Sequence, residues 1–210
     1  MEWFQWISLF ALTCCLAVLG YHIYRLIRMG NPEDYARPAG STIKGIRYSF
    51  TGAMNPKKKE SAYLHLPTYT AGLLYHAGTF LAFLVFILSF FQFEYPDWMR
   101  YVCTGILLLT SISGYGIWIK RISKKIMRRL SNPDDFISNF LVSGFQLLTA
   151  WLLVGESYIL IPYYLLTSAL LLYIPVGKLK HMVYFFAARY HLGWFYGSRG
   201  TWPPKVRLKA

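Results

Sequence analysis

Residues Ser61–Phe93 read SAYLHLPTYTAGLLYHAGTFLAFLVFILSFFQF, 33 positions without a single Asp, Glu, Lys or Arg. A helix needs about 20 mostly apolar residues to cross a hydrocarbon core. The stretch therefore suffices for one span, starting near Pro67, a favoured first-turn residue, and ending at Glu94-Tyr95-Pro96. Four further uncharged runs accompany it: residues 3–24, 101–119, 136–155 and 157–177. The whole chain of 210 residues is 55% apolar and 15% charged, where a soluble domain carries about a quarter charged residues. The pattern predicts an all-α integral membrane protein, a single membrane domain over residues 1–210. Its five transmembrane helices fall at about residues 3–29, 67–93, 98–122, 135–155 and 157–177. A soluble enzyme, a secreted disulfide scaffold and a nucleic-acid-binding domain are excluded as primary readings.

The net charge of +13 is a topology signal. Of the 22 Lys and Arg, 21 lie in three groups, Arg25–Lys59, Lys120–Arg129 and Lys178–Lys209, and Arg100 stands alone in the opposite loop. Cytoplasmic loops carry the Lys/Arg excess. The expected orientation places the N-terminus outside and the C-terminus in the cytoplasm, across the inner (cytoplasmic) membrane of a cell. Arg25 and Arg28 follow the first apolar run and no basic segment precedes it, so it reads as an anchored helix rather than a cleaved signal. The connection 30–66 alternates apolar and basic residues, as in Ile43–Phe50, and reads as a cytoplasmic segment along the membrane surface. Residues 182–210 form a cytoplasmic C-terminal extension. Ser131-Asn132-Pro133-Asp134 supplies helix-start chemistry for the fourth span.

Ionisable residues at membrane depth are the functional candidates. No carboxylate falls within the five cores, which argues against a proton pump or ion-coupled transporter, and no inverted repeat is present. Cys14, Cys15 and Cys103 sit inside apolar runs without metal-ligand spacing and read as small packed hydrophobes. Histidine remains: His22, His65, His76, His181 and His191. His76 lies nine residues past Pro67, in Leu73-Leu74-Tyr75-His76-Ala77-Gly78, where small neighbours leave room for a flat macrocycle. Alone it reads as a histidine bonded to a neighbouring helix, and His181 alone as an interfacial one. Taken together they suit a b-type haem, which needs two neutral imidazoles from different helices at matching depth. Lys178 and Lys180 are candidate contacts for its propionates, with Lys120 or Arg121 beside them.

The helix order, Leu74-Tyr75-His76-Ala77-Gly78 and Ile174-Pro175-Val176-Gly177-Lys178-Leu179-Lys180-His181-Met182 resemble the gamma subunit of respiratory nitrate reductase. That module recurs as the membrane cytochrome b of heterodisulfide-reductase and sulfite-reductase-linked complexes. The resemblance spans nearly the whole chain and rests most on the proline, basic residue and histidine closing the fifth span. It implies a haem b membrane anchor that moves electrons between the quinone pool and a cytoplasmic iron–sulfur redox subunit, within a hetero-oligomeric respiratory complex. It also implies that His76 and His181 are the axial ligands of the haem iron.

The family pattern carries a second ligand pair, ten residues after the first helix-two histidine and eighteen before the last helix-five one. Here those positions hold Phe86 and Tyr163, neither a usual ligand of a low-spin haem, so one haem b is expected. His65 and His191 lie 11 and 10 residues beyond the first pair. Their spacing is compatible with a second haem, but His65 precedes Pro67 and lies outside the hydrocarbon. His22, among Tyr21, Tyr24 and Arg25, reads as interfacial rather than as part of a quinone pocket. The rival reading is a haem-free structural anchor that docks a soluble partner; no catalytic residue is expected in either.

Overall fold

The computed structural model describes every residue except 31, 32, 34, 57–63, 92, 156 and 205–210. All regular elements among the described residues are helical. In chain order the α-helices are α1 (Trp3–Arg28), α2 (Thr42–Phe50), α3 (Leu66–Ser89), α4 (Asp97–Ser123), α5 (Lys125–Arg129), α6 (Pro133–Val154), α7 (Leu160–Tyr173) and α8 (His181–Ser198). Short 3-10 turns occupy Gly52–Met54, Ser157–Ile159 and Lys178–Lys180. Helices α1, α3, α4 and α6 are each long and apolar enough to cross a membrane, and α7 with α8 makes a fifth crossing if that pair is one broken span. The chain has the architecture of a multi-pass membrane protein.

Local chemistry sets where the helices begin and end. Helix α6 opens with a reciprocal capping box: the Asn132 side chain accepts from the Asp135 amide, and the Asp135 carboxylate accepts from the Asn132 amide (3.0 and 3.1 Å). With Pro133 in the first turn, the helix begins two residues earlier than the span expected from 135. It closes at Gly155, whose φ of 96° suits glycine. Helix α3 stops at Ser89, short of 93, because the Phe90 and Phe91 amides turn back to the Ile87 and Leu88 carbonyls. Helix α7 stops at Tyr173, short of 177. Pro175 brings no N–H to continue the ladder, and the Val176 and Gly177 amides both donate to the Tyr173 carbonyl.

The chain divides into two compact units, residues 1–18 with 67–179 and residues 19–66 with 180–210, and α1 runs through the first boundary. In the first unit the core is a fully buried cluster of Phe86 from α3, Phe145 from α6 and Tyr163 and Tyr164 from α7. Small and polar residues bind the helices around it, as expected where lipid provides no hydrophobic contrast. Ser111 donates to the Ser143 carbonyl (3.1 Å), Gln146 to the Tyr75 carbonyl and Thr79 hydroxyl (3.0 and 2.8 Å), and Ser8 to the Tyr164 carbonyl (2.9 Å). Arg100 donates to the Leu153 and Val154 carbonyls at the end of α6 (2.9 and 3.1 Å), satisfying acceptors that the helix itself leaves open.

In the second unit the amphipathic stretch expected at the membrane surface is α2, and it packs on α8. The contact is between glycine backbones: a Cβ on Gly193 would stand 2.5 Å from Ile46 Cα, and one on Gly197 would stand 2.8 Å from the Ser41 carbonyl oxygen. Ser49, fully buried, donates to the Arg189 carbonyl at 2.7 Å.

Candidate haem and quinone-facing residues

His76 sits on the outward face of α3. Its neighbours along that face, Leu73, Phe80, Leu84 and Ile87, are exposed, whereas Gly78, Ala82, Val85 and Phe86 on the opposite side are buried. The His76 Nδ1–H donates to the Gly72 carbonyl one turn back, at 2.7 Å. That bond defines the tautomer and leaves Nε2 as the lone-pair nitrogen, without a protein partner among the described residues. This is the arrangement that prepares an imidazole as a metal ligand. Gly72 adds open space beside it: a Cβ there would meet nothing within 4 Å.

His181 is the first residue of α8 and is exposed. It belongs to the second unit and His76 to the first. The donor chemistry of both suits a haem, since each is an imidazole reachable from outside its unit. Among the described residues no cluster of three or more His, Cys, Asp or Glu is placed to hold a metal ion; two axial imidazoles do not require one.

Phe86 and Tyr163 meet. Their ring centroids lie 6.4 Å apart, and Phe145 stacks on Tyr163 at 6.1 Å. Both side chains are completely buried. These two positions, singled out on α3 and α7 by the resemblance, stand at one level of the first unit, which is filled by aromatic rings.

Sequence reasoning missed a role for Asp135. Its carboxylate, 9% exposed, pairs with Arg121 at 3.0 Å and with Lys178. Arg121 and Lys178, which the sequence offers as propionate contacts, therefore share a carboxylate of this chain. The Arg121 Nε is buried and has no hydrogen-bond partner among the described residues. The available signal was the acidic pair Asp134-Asp135 at the mouth of a span, for which helix-start chemistry alone gave an explanation. Lys180 is half-buried at the end of the 3-10 turn. His65 is exposed, in the turn just before α3.

The remaining histidines lie in the second unit. The Tyr184 hydroxyl is 3.2 Å from His22 Nδ1, and the two rings are 5.8 Å apart, tying α1 to α8. His191 is half-buried and lines a cleft of about 750 Å³ between the C-terminal part of α1 and α8. It also lines a smaller cleft of about 400 Å³ formed by α8 alone.

The chain matches no protein-family model, no curated protein and no solved structure.

Proposed function

We propose that this membrane protein is a haem b anchor subunit. It carries electrons between the quinone pool and a cytoplasmic iron–sulfur redox subunit of a hetero-oligomeric complex in the inner membrane, as the resemblance to the nitrate reductase gamma module implies. The observation that carries the reading is His76: an imidazole roughly 15 Å along a membrane-spanning helix, held by Nδ1–H to Gly72, with Nε2 directed away from its own bundle. Leaving a polar nitrogen unpaired in hydrocarbon costs several kcal/mol, so such a nitrogen calls for a partner.

When bound, haem b supplies a one-electron carrier whose potential follows its axial ligands, burial and hydrogen bonds. This chain's residues hold it. His76 and His181 would hold its iron, and the Gly72 carbonyl orients the His76 ring. Lys178 and Lys180 would meet its propionates, with Asp135 steadying the Lys178 ammonium. Phe86 and Tyr163 occupy the level at which the resembling family has its second ligand pair, about 15 Å from His76 along α3, and support a count of one haem. The Lys/Arg distribution supports five crossings with the N-terminus outside and the basic loops in the cytoplasm, where they form the docking face for the partner.

The test is a reduced-minus-oxidised visible spectrum of the purified native complex and of its His76→Ala and His181→Ala variants. The expected result is a low-spin b-type spectrum in the parent that both variants lose while the chain still inserts. Absence of b-type bands in the parent would leave the haem-free anchor as the reading. Retention in both variants would sink the ligand assignment.

A further inference from the structure

The cleft between α1 and α8 belongs to the second unit and was not anticipated from the histidine spacing. On one side its walls are Ile23, Leu26 and Ile27; on the other they include Phe186, Tyr190 and His191. At about 750 Å³ it falls in the size range of small-molecule sites, and its make-up is typical of them: apolar and aromatic walls with few polar groups. Among the described lining residues there is no Lys, Arg, Asp or Glu, and His191 is the one ionisable side chain besides tyrosine.

We infer that this cleft binds the ring of a membrane quinone, with His191 hydrogen-bonded to a quinone carbonyl. Three observations favour that occupant. The α1 wall belongs to a helix long and apolar enough to cross a membrane, and α8 is so only together with α7, as one bent pair; with that pair in the membrane the cleft opens to the bilayer, which favours an apolar ligand. The lining offers no cation, which disfavours a phospholipid headgroup or any other anion. A saturated acyl chain would use none of the polar groups, whereas a neutral flat ring with carbonyl oxygens uses the aromatic walls and the imidazole together. The site also begins beside a residue already given a role. Met182 lines the cleft and is adjacent to His181, and His191 lies roughly 15 Å from His181 along α8. The inference rests on the quinone-linked reading above, but not on haem.

A short-tailed azido-naphthoquinone, photolysed with the full chain in neutral detergent and mapped by peptide mass spectrometry, tests the placement. Equilibrium titration of the unmodified naphthoquinone tests the affinity. We expect saturable binding and label on the peptides carrying Ile23–Ile27 and Phe186–His191. His191→Leu should weaken binding roughly tenfold, the loss of one hydrogen bond, and Ala187→Trp, which fills the cleft, should abolish it. Label confined to other peptides, or displacement of the probe by a saturated fatty acid as effectively as by unlabelled naphthoquinone, would overturn the inference. A b-haem spectrum without saturable quinone binding would overturn it as well, while the haem reading stood. Quinone binding in the cleft of a haem-free protein would uphold the site and defeat that reading.

Discussion

Replacing Asp135 should destabilise the first unit more than any other single loss of a carboxylate. Its side chain is 9% exposed, it accepts the Asn132 amide in the capping box, and it faces both Arg121 and Lys178. Removing one partner of a buried ion pair costs about 3–5 kcal/mol. The Lys178 side chain is 55% exposed and contributes little of this, so Arg121, at 22%, dominates. We take the low end, about 3 kcal/mol, and add about 1 kcal/mol for the cap. Asp135→Ala should therefore cost about 4 kcal/mol. Asp135→Asn keeps an acceptor for the Asn132 amide and should cost about 3 kcal/mol. At roughly 2–4 °C per kcal/mol for a chain of this size, the alanine variant should melt roughly 8–16 °C lower. A thiol-reactive dye in detergent reads the transition, because Cys15 and Cys103 are buried and become accessible on unfolding. Asp134→Ala, one position away and without an ion pair among the described residues, serves as the control and should stay within about 0.5 kcal/mol. If Asp135→Ala and Asp134→Ala melted together, the Arg121 guanidinium would not depend on Asp135 and the cluster would have no structural weight.

Reporter fusions after Leu130 and after Ala210 should both report the cytoplasmic side; labelling of either from outside would reverse the orientation and move the docking face. A pyridine haemochrome assay on pure complex, corrected for other haem subunits, should return one b-haem for this chain, because Phe86 and Tyr163 fill the second level; two would bring His65 and His191 back as ligands. Gly193→Val should detach α2 from α8 by overpacking, at a cost of at least about 1–3 kcal/mol, seen as faster proteolysis between residues 50 and 66, and unchanged cleavage would mean that this glycine contact does not hold α2.

Membrane character was legible in the sequence because it depends on quantities that are local along the chain. The lengths of uncharged runs against the hydrocarbon thickness mark the spans, and Lys and Arg counts between them suggest the sidedness. Start and stop chemistry was partly legible for the same reason: Asn132-Pro133 announces α6, and Pro175 announces the break after α7. The sequence also singled out positions 86 and 163 as a pair, because spacing along two helices can be carried from a resemblance without knowing which faces meet.

What packs against what was decided only in three dimensions. Asp135 reads in sequence as a capping residue, yet it pairs with Arg121 and Lys178, which lie 14 and 43 residues away. The surface-type stretch Ile43–Phe50 becomes a helix seated on α8 because Gly45 meets Gly193 and Gly197, a backbone approach that no hydropathy pattern records. His76 is one of five histidines by composition; the tertiary structure turns its face outward from the first unit's bundle, while His191 comes to line a cleft. The reason is that helix faces are chosen by side-chain volume and hydrogen bonding between segments distant in the chain, whereas membrane partition is summed residue by residue along it.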